Sequence, residues 1–258
     1  MKPKSNGFQK ADDINLYYEI YGVGKPLVLI HGGGSSGFYD FEETIKRLED
    51  DFQLIVIDLQ NHGKSEHRNI AETFEQDARD IMAVLEKLNI IKASFFGFSN
   101  GATTVLQIGH LFPDNVEKMV AASGVTKRNG MIDGFFEGMS KASVENIMQK
   151  LKDNFLKINP DDRLLKNMFE KDSQRMINFQ DIDDEVLKSI KSPVFLIAGD
   201  KDVIKVQHIA EMNQLIPDSK VMILPAGHGN YMMADENGNA DTELIDFTIS
   251  QIKKFLNS

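Results

Sequence analysis

Short apolar runs punctuate the chain, and polar or amphipathic stretches fill the gaps between them. The runs are Pro26-Leu27-Val28-Leu29-Ile30, Leu54-Ile55-Val56-Ile57, Ala93 to Phe98, Met119-Val120-Ala121-Ala122, Val194-Phe195-Leu196-Ile197 and Val221-Met222-Ile223-Leu224. Continuous apolar runs of this length predict strands covered on both faces. Residues Ile14, Leu16, Tyr18 and Ile20 instead alternate with partners of mixed polarity, which predicts a half-exposed strand. Between the runs lie helical patterns, such as Asp77 to Leu88 with Ile81, Met82, Val84, Leu85 and Leu88 on one face. Strand–helix alternation of this kind predicts the α/β class: a mostly parallel central sheet flanked by helices on both sides.

One region breaks the rhythm. Residues 127–190 are helical in pattern without a buried strand run, and the alternation resumes at Ser192-Pro193. This divides the chain into a core domain, 1–126 and 191–258, and a small helical cap insertion, 127–190. Such an insertion is expected over the carboxyl edge of the sheet, where α/β proteins place their ligands. The cap holds Met131, Met139, Met148, Met168 and Met176, with Phe135, Phe136, Phe155, Phe169 and Phe179. Most are expected to pack the cap onto the main domain, and some to face a ligand.

Composition narrows the partners. The 258 residues include 29 basic and 39 acidic side chains, a formal charge of −10, with no basic stripe. Nucleic acid and anionic membrane are therefore poor partners, and a small-molecule substrate is expected. The chain has no cysteine, which excludes disulfides, thiolate metal sites and a cysteine nucleophile, and fits a reducing compartment. The first residues lack the apolar core of a signal peptide, and no apolar run approaches the ~20 residues of a membrane helix. A cytoplasmic location is the default expectation. Nothing in the pattern specifies an oligomeric state.

Two segments fit G-x-S-x-G: Gly33-Gly34-Ser35-Ser36-Gly37 and Gly97-Phe98-Ser99-Asn100-Gly101. The first is separated from its strand by glycines and reads as a loop. In the second, Ser99 follows a strand directly and opens a helix, the setting of a nucleophile elbow. A serine nucleophile needs a base, usually histidine, oriented by a carboxylate. Of His31, His62, His67, His110, His208 and His228, only His228 lies just past the last strand run, at the sheet's carboxyl edge. His110 and His208 fall inside helical patterns and read as structural or solvated, and His67 sits in a polar loop. For the carboxylate, both Asp200 and Asp202 follow the Val194–Ala198 strand.

Taken in order, five motifs resemble the α/β-hydrolase fold family over nearly the whole chain. They are Leu29 to Gly34, Asp58 to Ser65, Gly97 to Gly101, Gly199-Asp200-Lys201-Asp202 and Ala226-Gly227-His228. The resemblance implies a catalytic triad of Ser99, Asp202 and His228, selecting the second aspartate. It implies an oxyanion hole from the backbone N–H groups of Gly33 and Asn100, with Gly34 as a helper, and a loop-shaping role for His31. One departure is Asn61, where the family usually has glycine; asparagine tolerates the left-handed backbone such a turn needs. Members with aspartate at the elbow act on alkyl halides and epoxides, so Ser99 implies acyl transfer. The expected function is a serine hydrolase of a small carboxylic ester or lactone, working through an acyl-enzyme without metal or organic cofactor. A carbon–carbon bond hydrolase or lyase of the same fold, and a non-catalytic ligand-binding member, are the alternatives.

Overall fold

A computed structural model describes residues 1–235 and 237–258. Among them, eight strands form one sheet: β1 (Ser5–Ala11), β2 (Ile14–Tyr21), β3 (Lys25–Ile30), β4 (Phe52–Ile57), β5 (Ala93–Phe98), β6 (Val116–Ala122), β7 (Val194–Lys201) and β8 (Ser219–Gly227). Their order is β1-β2-β4-β3-β5-β6-β7-β8. The hairpin β1–β2 and the β2–β4 pair are antiparallel, and every other neighbour is parallel. The core helices are α1 (Gly37–Leu48), α2 (Phe74–Lys87) and α3 (Asn100–Leu111). Helices α4 (Phe135–Lys141), α5 (Gln149–Ile158), α6 (Asp162–Ile177) and α7 (Asp184–Lys188) follow β6, and α8 (Val206–Leu215) and α9 (Thr242–Asn257) complete the chain.

The alternation of side chains along each buried strand builds two cores. On β5, Phe95 faces the layer of α2, α3 and α8, while Phe96 faces the layer of α1 and α9. Val28 and Ile30 on β3 join the first core, and Leu27 and Leu29 join the second. The chain runs from β3 to β4 on one side and returns to β5 on the other. The crevice between the carboxyl ends of β3 and β5 is thus the point where strand order reverses, the usual ligand position in open α/β sheets.

Three features differ from the sequence pattern. Strand β1 lies in the polar N-terminal stretch and has no apolar run; its pairing with β2 creates it, and Phe8 remains exposed. The run Val221 to Leu224 is not covered on both faces, because β8 is the sheet edge and leaves Val221 and Ile223 open to solvent. Helix α7 packs against α3 and α8, with Leu187 buried in the main core, so the helices lying over the sheet's carboxyl edge are α4 to α6. No helix among the described residues is long and apolar enough to cross a membrane.

Candidate active site

Ser99 stands at the carboxyl end of β5 and caps α3, with φ 55° and ψ −119°. The turn is strained for a non-glycine residue, and the flanking glycines make it possible. A β-carbon on Gly97 would lie 2.1 Å from the carbonyl oxygen of Gly101, and one on Gly101 would lie 2.1 Å from that of Ile30. The strand, the helix and the neighbouring β3 approach too closely for any side chain there.

The loops after β7 and β8 bring two more groups to Ser99. The Ser99 hydroxyl donates to His228 Nε2 at 3.1 Å, and His228 Nδ1–H donates to Asp202 Oδ1 at 2.7 Å. Asp200 turns away and accepts the N–H of Ala226. Burial disfavours charge on Asp202, yet bonds from His228 and Ser123 outweigh it and hold the carboxyl below its usual range. Ser123 ends β6 as Ser99 ends β5, again at φ 55°. Its hydroxyl donates to Asp202 Oδ2 at 2.5 Å and accepts from the buried Tyr231 hydroxyl at 2.6 Å. No motif marks Ser123; the register of β6 beside β7, which pairs Ala122 with Ile197, puts it there.

Gly33 and Asn100 lie beside Ser99 on the wall of one cavity. Among the described residues, neither backbone N–H has a protein acceptor. The N–H of Gly34, the helper candidate, is directed elsewhere and donates to Asp172 Oδ2 at 2.6 Å. Ser35, the rival serine, donates its hydroxyl to buried Asp40 at 2.5 Å.

The remaining histidines have other work. His31 Nδ1–H donates to the Gly32 carbonyl and Nε2 accepts the N–H of Leu59; burial pushes its pKa down to about 3, so the ring is neutral. His208 accepts the N–H of Thr126 and burial lowers its pKa too. His110 meets Ser189, and His67 receives a bond from Asn167 of α6. His62 is buried on the loop after β4, whose Asp58 accepts the N–H groups of Gly37 and Lys64. Asn61 before it adopts φ 66°, and its side chain bonds Glu72 and the N–H of Arg68. His62 Nδ1–H donates to the Gln60 carbonyl, and Nε2–H donates to Asp172 Oδ2 at 2.8 Å. Burial opposes charge on His62, but the Asp172 carboxylate prevails and raises its pKa to about 9. Both nitrogens donate to acceptors, so this ring is an imidazolium.

The cavity above Ser99 measures about 330 Å³. All five cap methionines and Phe135 and Phe169 line it, which is more of the cap's apolar set than its helical pattern suggests. Phe155 instead joins a small cap core with Leu165 and Met168, and Phe179 packs on Phe74. Among the described residues, no lysine or arginine lines the cavity. A larger open cleft of about 780 Å³ runs between α2 and α6, but neither Ser99 nor His228 reaches it.

Helix α6 is bolted to the core below it. Arg175 pairs with Glu72 at 2.8 Å and Asp77 at 2.9 Å, and Lys171 donates to the Ile70 carbonyl. Asp172 carries no motif either. The signal for it is a charged residue on an apolar stripe, since Leu165, Met168 and Met176 share its face of α6 and are buried.

A family model for the alpha/beta hydrolase fold matches residues 25–141. The chain is 28% identical to an uncharacterized hydrolase of Bacillus subtilis over 91% of its own length and 94% of that protein. It is 26% identical to a putative esterase/lipase of Haemophilus influenzae, over 94% of this chain and 88% of the other. The solved structure of 2-hydroxy-6-oxo-6-phenylhexa-2,4-dienoate hydrolase from a Rhodococcus species superposes with a TM-score of 0.78, covering 98% of this chain and 99% of that one at 16% identity. That last likeness is one of fold. Sheet order, family match and structural likeness together make this chain a protein of the α/β-hydrolase fold.

Proposed function

We propose that the protein hydrolyses neutral carboxylic esters or lactones of small to medium size, with Ser99 as nucleophile. The observation that carries this reading is the unbroken chain of hydrogen bonds from Ser99 through His228 to Asp202, opening into an apolar cavity beside two unengaged N–H groups. His228 Nε2 takes the Ser99 proton as Oγ attacks the carbonyl carbon. The N–H groups of Gly33 and Asn100 receive the oxyanion, each worth ~3 kcal/mol in the transition state. Asp202 holds the imidazole in the required tautomer and stabilises its charged form. His228 then protonates the leaving alkoxide, activates water against the acyl-enzyme, and returns the proton to Ser99. All of this is ordinary triad chemistry and calls on no further group.

The cavity's chemistry favours the neutral ester over carbon–carbon cleavage of the dienoate kind. A substrate named as a dienoate carries a carboxylate, and an ionised carboxylate in an apolar site needs a partner charge. The buried cations behind the Asp172 wall of this cavity, His62 and Arg175, are already paired with Asp172, Glu72 and Asp77. The relative from Haemophilus influenzae, named a putative esterase/lipase, supports the same direction.

Turnover of p-nitrophenyl butyrate by the wild type, Ser99→Ala and Ser35→Ala tests the proposal. Activity in the wild type and Ser35→Ala with loss in Ser99→Ala is expected. Retention of activity in Ser99→Ala would overturn it, and so would preferential turnover of a 2-hydroxy-6-oxo-dienoate over neutral esters. Absence of turnover on every ester would point to a ligand-binding role.

A further inference from the structure

Three consecutive glycines, Gly32-Gly33-Gly34, carry one of the two oxyanion donors. Glycine has the widest backbone freedom of any residue, so a donor in such a run points nowhere in particular unless its neighbours are held. Ordering such a run costs conformational entropy that fixed partners must offset. Here both neighbouring peptides are held by buried carboxylates. The N–H of Gly32 donates to Asp40 Oδ2 at 2.8 Å, and the N–H of Gly34 donates to Asp172 Oδ2 at 2.6 Å. The Gly33 N–H lies between these two anchors and is left free to face the cavity.

The two anchors differ in origin. Asp40 belongs to α1 in the core, whereas Asp172 comes down from α6 in the cap. Asp172 also reaches the other half of the hole, because the Asn100 side chain donates to its Oδ1 over a long 3.5 Å. Packing at this junction is tight: a β-carbon on Gly33 would lie 2.6 Å from Asn100 Nδ2 and 3.1 Å from Asp172 Oδ2. A lone carboxylate beside a developing oxyanion would repel it. His62, bonded to the same Asp172 oxygen, cancels that charge.

We propose that Asp172 is a positioning residue for the oxyanion hole, tying the Gly33–Gly34 segment and Asn100 together, so that the hole is complete only with α6 seated on the core. The proposal rests on the reading of Gly33 and Asn100 as oxyanion donors. His62 is the counter-charge that permits a carboxylate to do this work.

Steady-state kinetics of Asp172→Ala and Asp172→Asn on p-nitrophenyl butyrate provide the test. An asparagine whose oxygen takes the place of Oδ2 still accepts the Gly34 N–H and the His62 Nε2–H, and gives up only the long contact from Asn100. Asp172→Ala is expected to lose ~30-fold or more in kcat with KM changed less than about 3-fold, because the hole acts on the transition state. Asp172→Asn should recover to within about 5-fold of the wild type. A kcat for Asp172→Ala within about 3-fold of wild type, or an asparagine variant no better than the alanine one, would overturn the proposal.

Glycine-selective ¹⁵N NMR of the wild type covers the case in which the alanine variant does not fold. The Gly34 amide proton should resonate well downfield of other glycines and exchange slowly, as a bond to a carboxylate requires. A Gly34 amide at an ordinary shift with fast exchange would contradict the anchor. If the wild type neither turns over esters nor labels at Ser99, the hydrolase reading fails, while the Gly34 resonance still decides whether Asp172 anchors the loop.

Discussion

Two histidine–carboxylate pairs flank the same cavity, and their geometry is almost the same. His228 meets Asp202 at 2.7 Å and His62 meets Asp172 at 2.8 Å. What separates them is the partner of the second ring nitrogen. On His228 that nitrogen faces the Ser99 hydroxyl, which can donate, so it is free to accept a proton. On His62 it faces the Gln60 carbonyl, which only accepts, so the ring keeps both protons. Exposure follows the same division: the His228 side chain is 30% exposed and His62 is 1% exposed. In the proposed mechanism the first pair moves a proton, while the second holds a charge. The difference lies in a single neighbour at each site, not in the pair itself.

Breaking each pair should therefore give effects of different size and kind. Ser99→Ala and His228→Ala are each expected to lower kcat by roughly 10³-fold or more, with the double variant little worse than either, because the groups act as a unit. Steady-state turnover of a p-nitrophenyl ester reads this directly. His62→Asn removes the compensating charge beside the proposed oxyanion hole together with the bond that steadies Asp172, and a loss of about 10-fold in kcat is expected, well short of the His228 effect. Equal losses in the two histidine variants would erase the distinction between them.

A smaller effect is expected at the support of the first pair. Ser123→Ala removes one of the bonds that hold Asp202, and kcat should fall about 3- to 10-fold with KM unchanged. Tyr231→Phe, one bond further out, should cost less. A larger loss from Tyr231→Phe than from Ser123→Ala would break the order of that network.

The smallest signal is in stability against pH, and it belongs to the second pair. His62 titrates near 6.5 when unfolded and at about 9 in the fold, so its contribution is full below the first value and is lost as pH rises through the second. For Asp172, burial is overcome by the His62 charge, and its carboxyl is held down to about 2. Its contribution is present above the unfolded carboxylate range and is lost as pH falls through that lower value. Thermal melts of the wild type should thus drop by a few degrees between pH 7 and pH 10 relative to Asp172→Asn. Parallel curves for the two proteins would contradict a charged His62.

How much of this was legible in the sequence depended on the distance over which each contact is made. The elbow is a local object: Gly97, Ser99 and Gly101 sit within five residues, and although β3 adds its own close approach to Gly101, the turn from β5 into α3 is written in that segment. His228 follows its strand directly, so chain order singled it out as a candidate, whereas Asp202 was preferred to Asp200 only through the resemblance to the family pattern. Strand β1 was invisible because its residues gain strand structure only by pairing with β2. The edge position of β8 depends on sheet order, which the run Val221 to Leu224 does not encode. Ser123 follows Ala122 with no flanking motif, and its role comes from the register of β6 against β7. Asp172 stands 110 residues from His62 along the chain. Nothing local foretells that pairing except a charge on an otherwise apolar helix face.

The most direct test of the first pair's role is to label the wild-type protein with a fluorophosphonate and map the modified peptide. A single adduct on Ser99 is expected, absent from Ser99→Ala and formed far more slowly in His228→Ala. An adduct on Ser35 or any other residue, or labelling of Ser99→Ala at the wild-type rate, would contradict the assignment of Ser99 as the nucleophile.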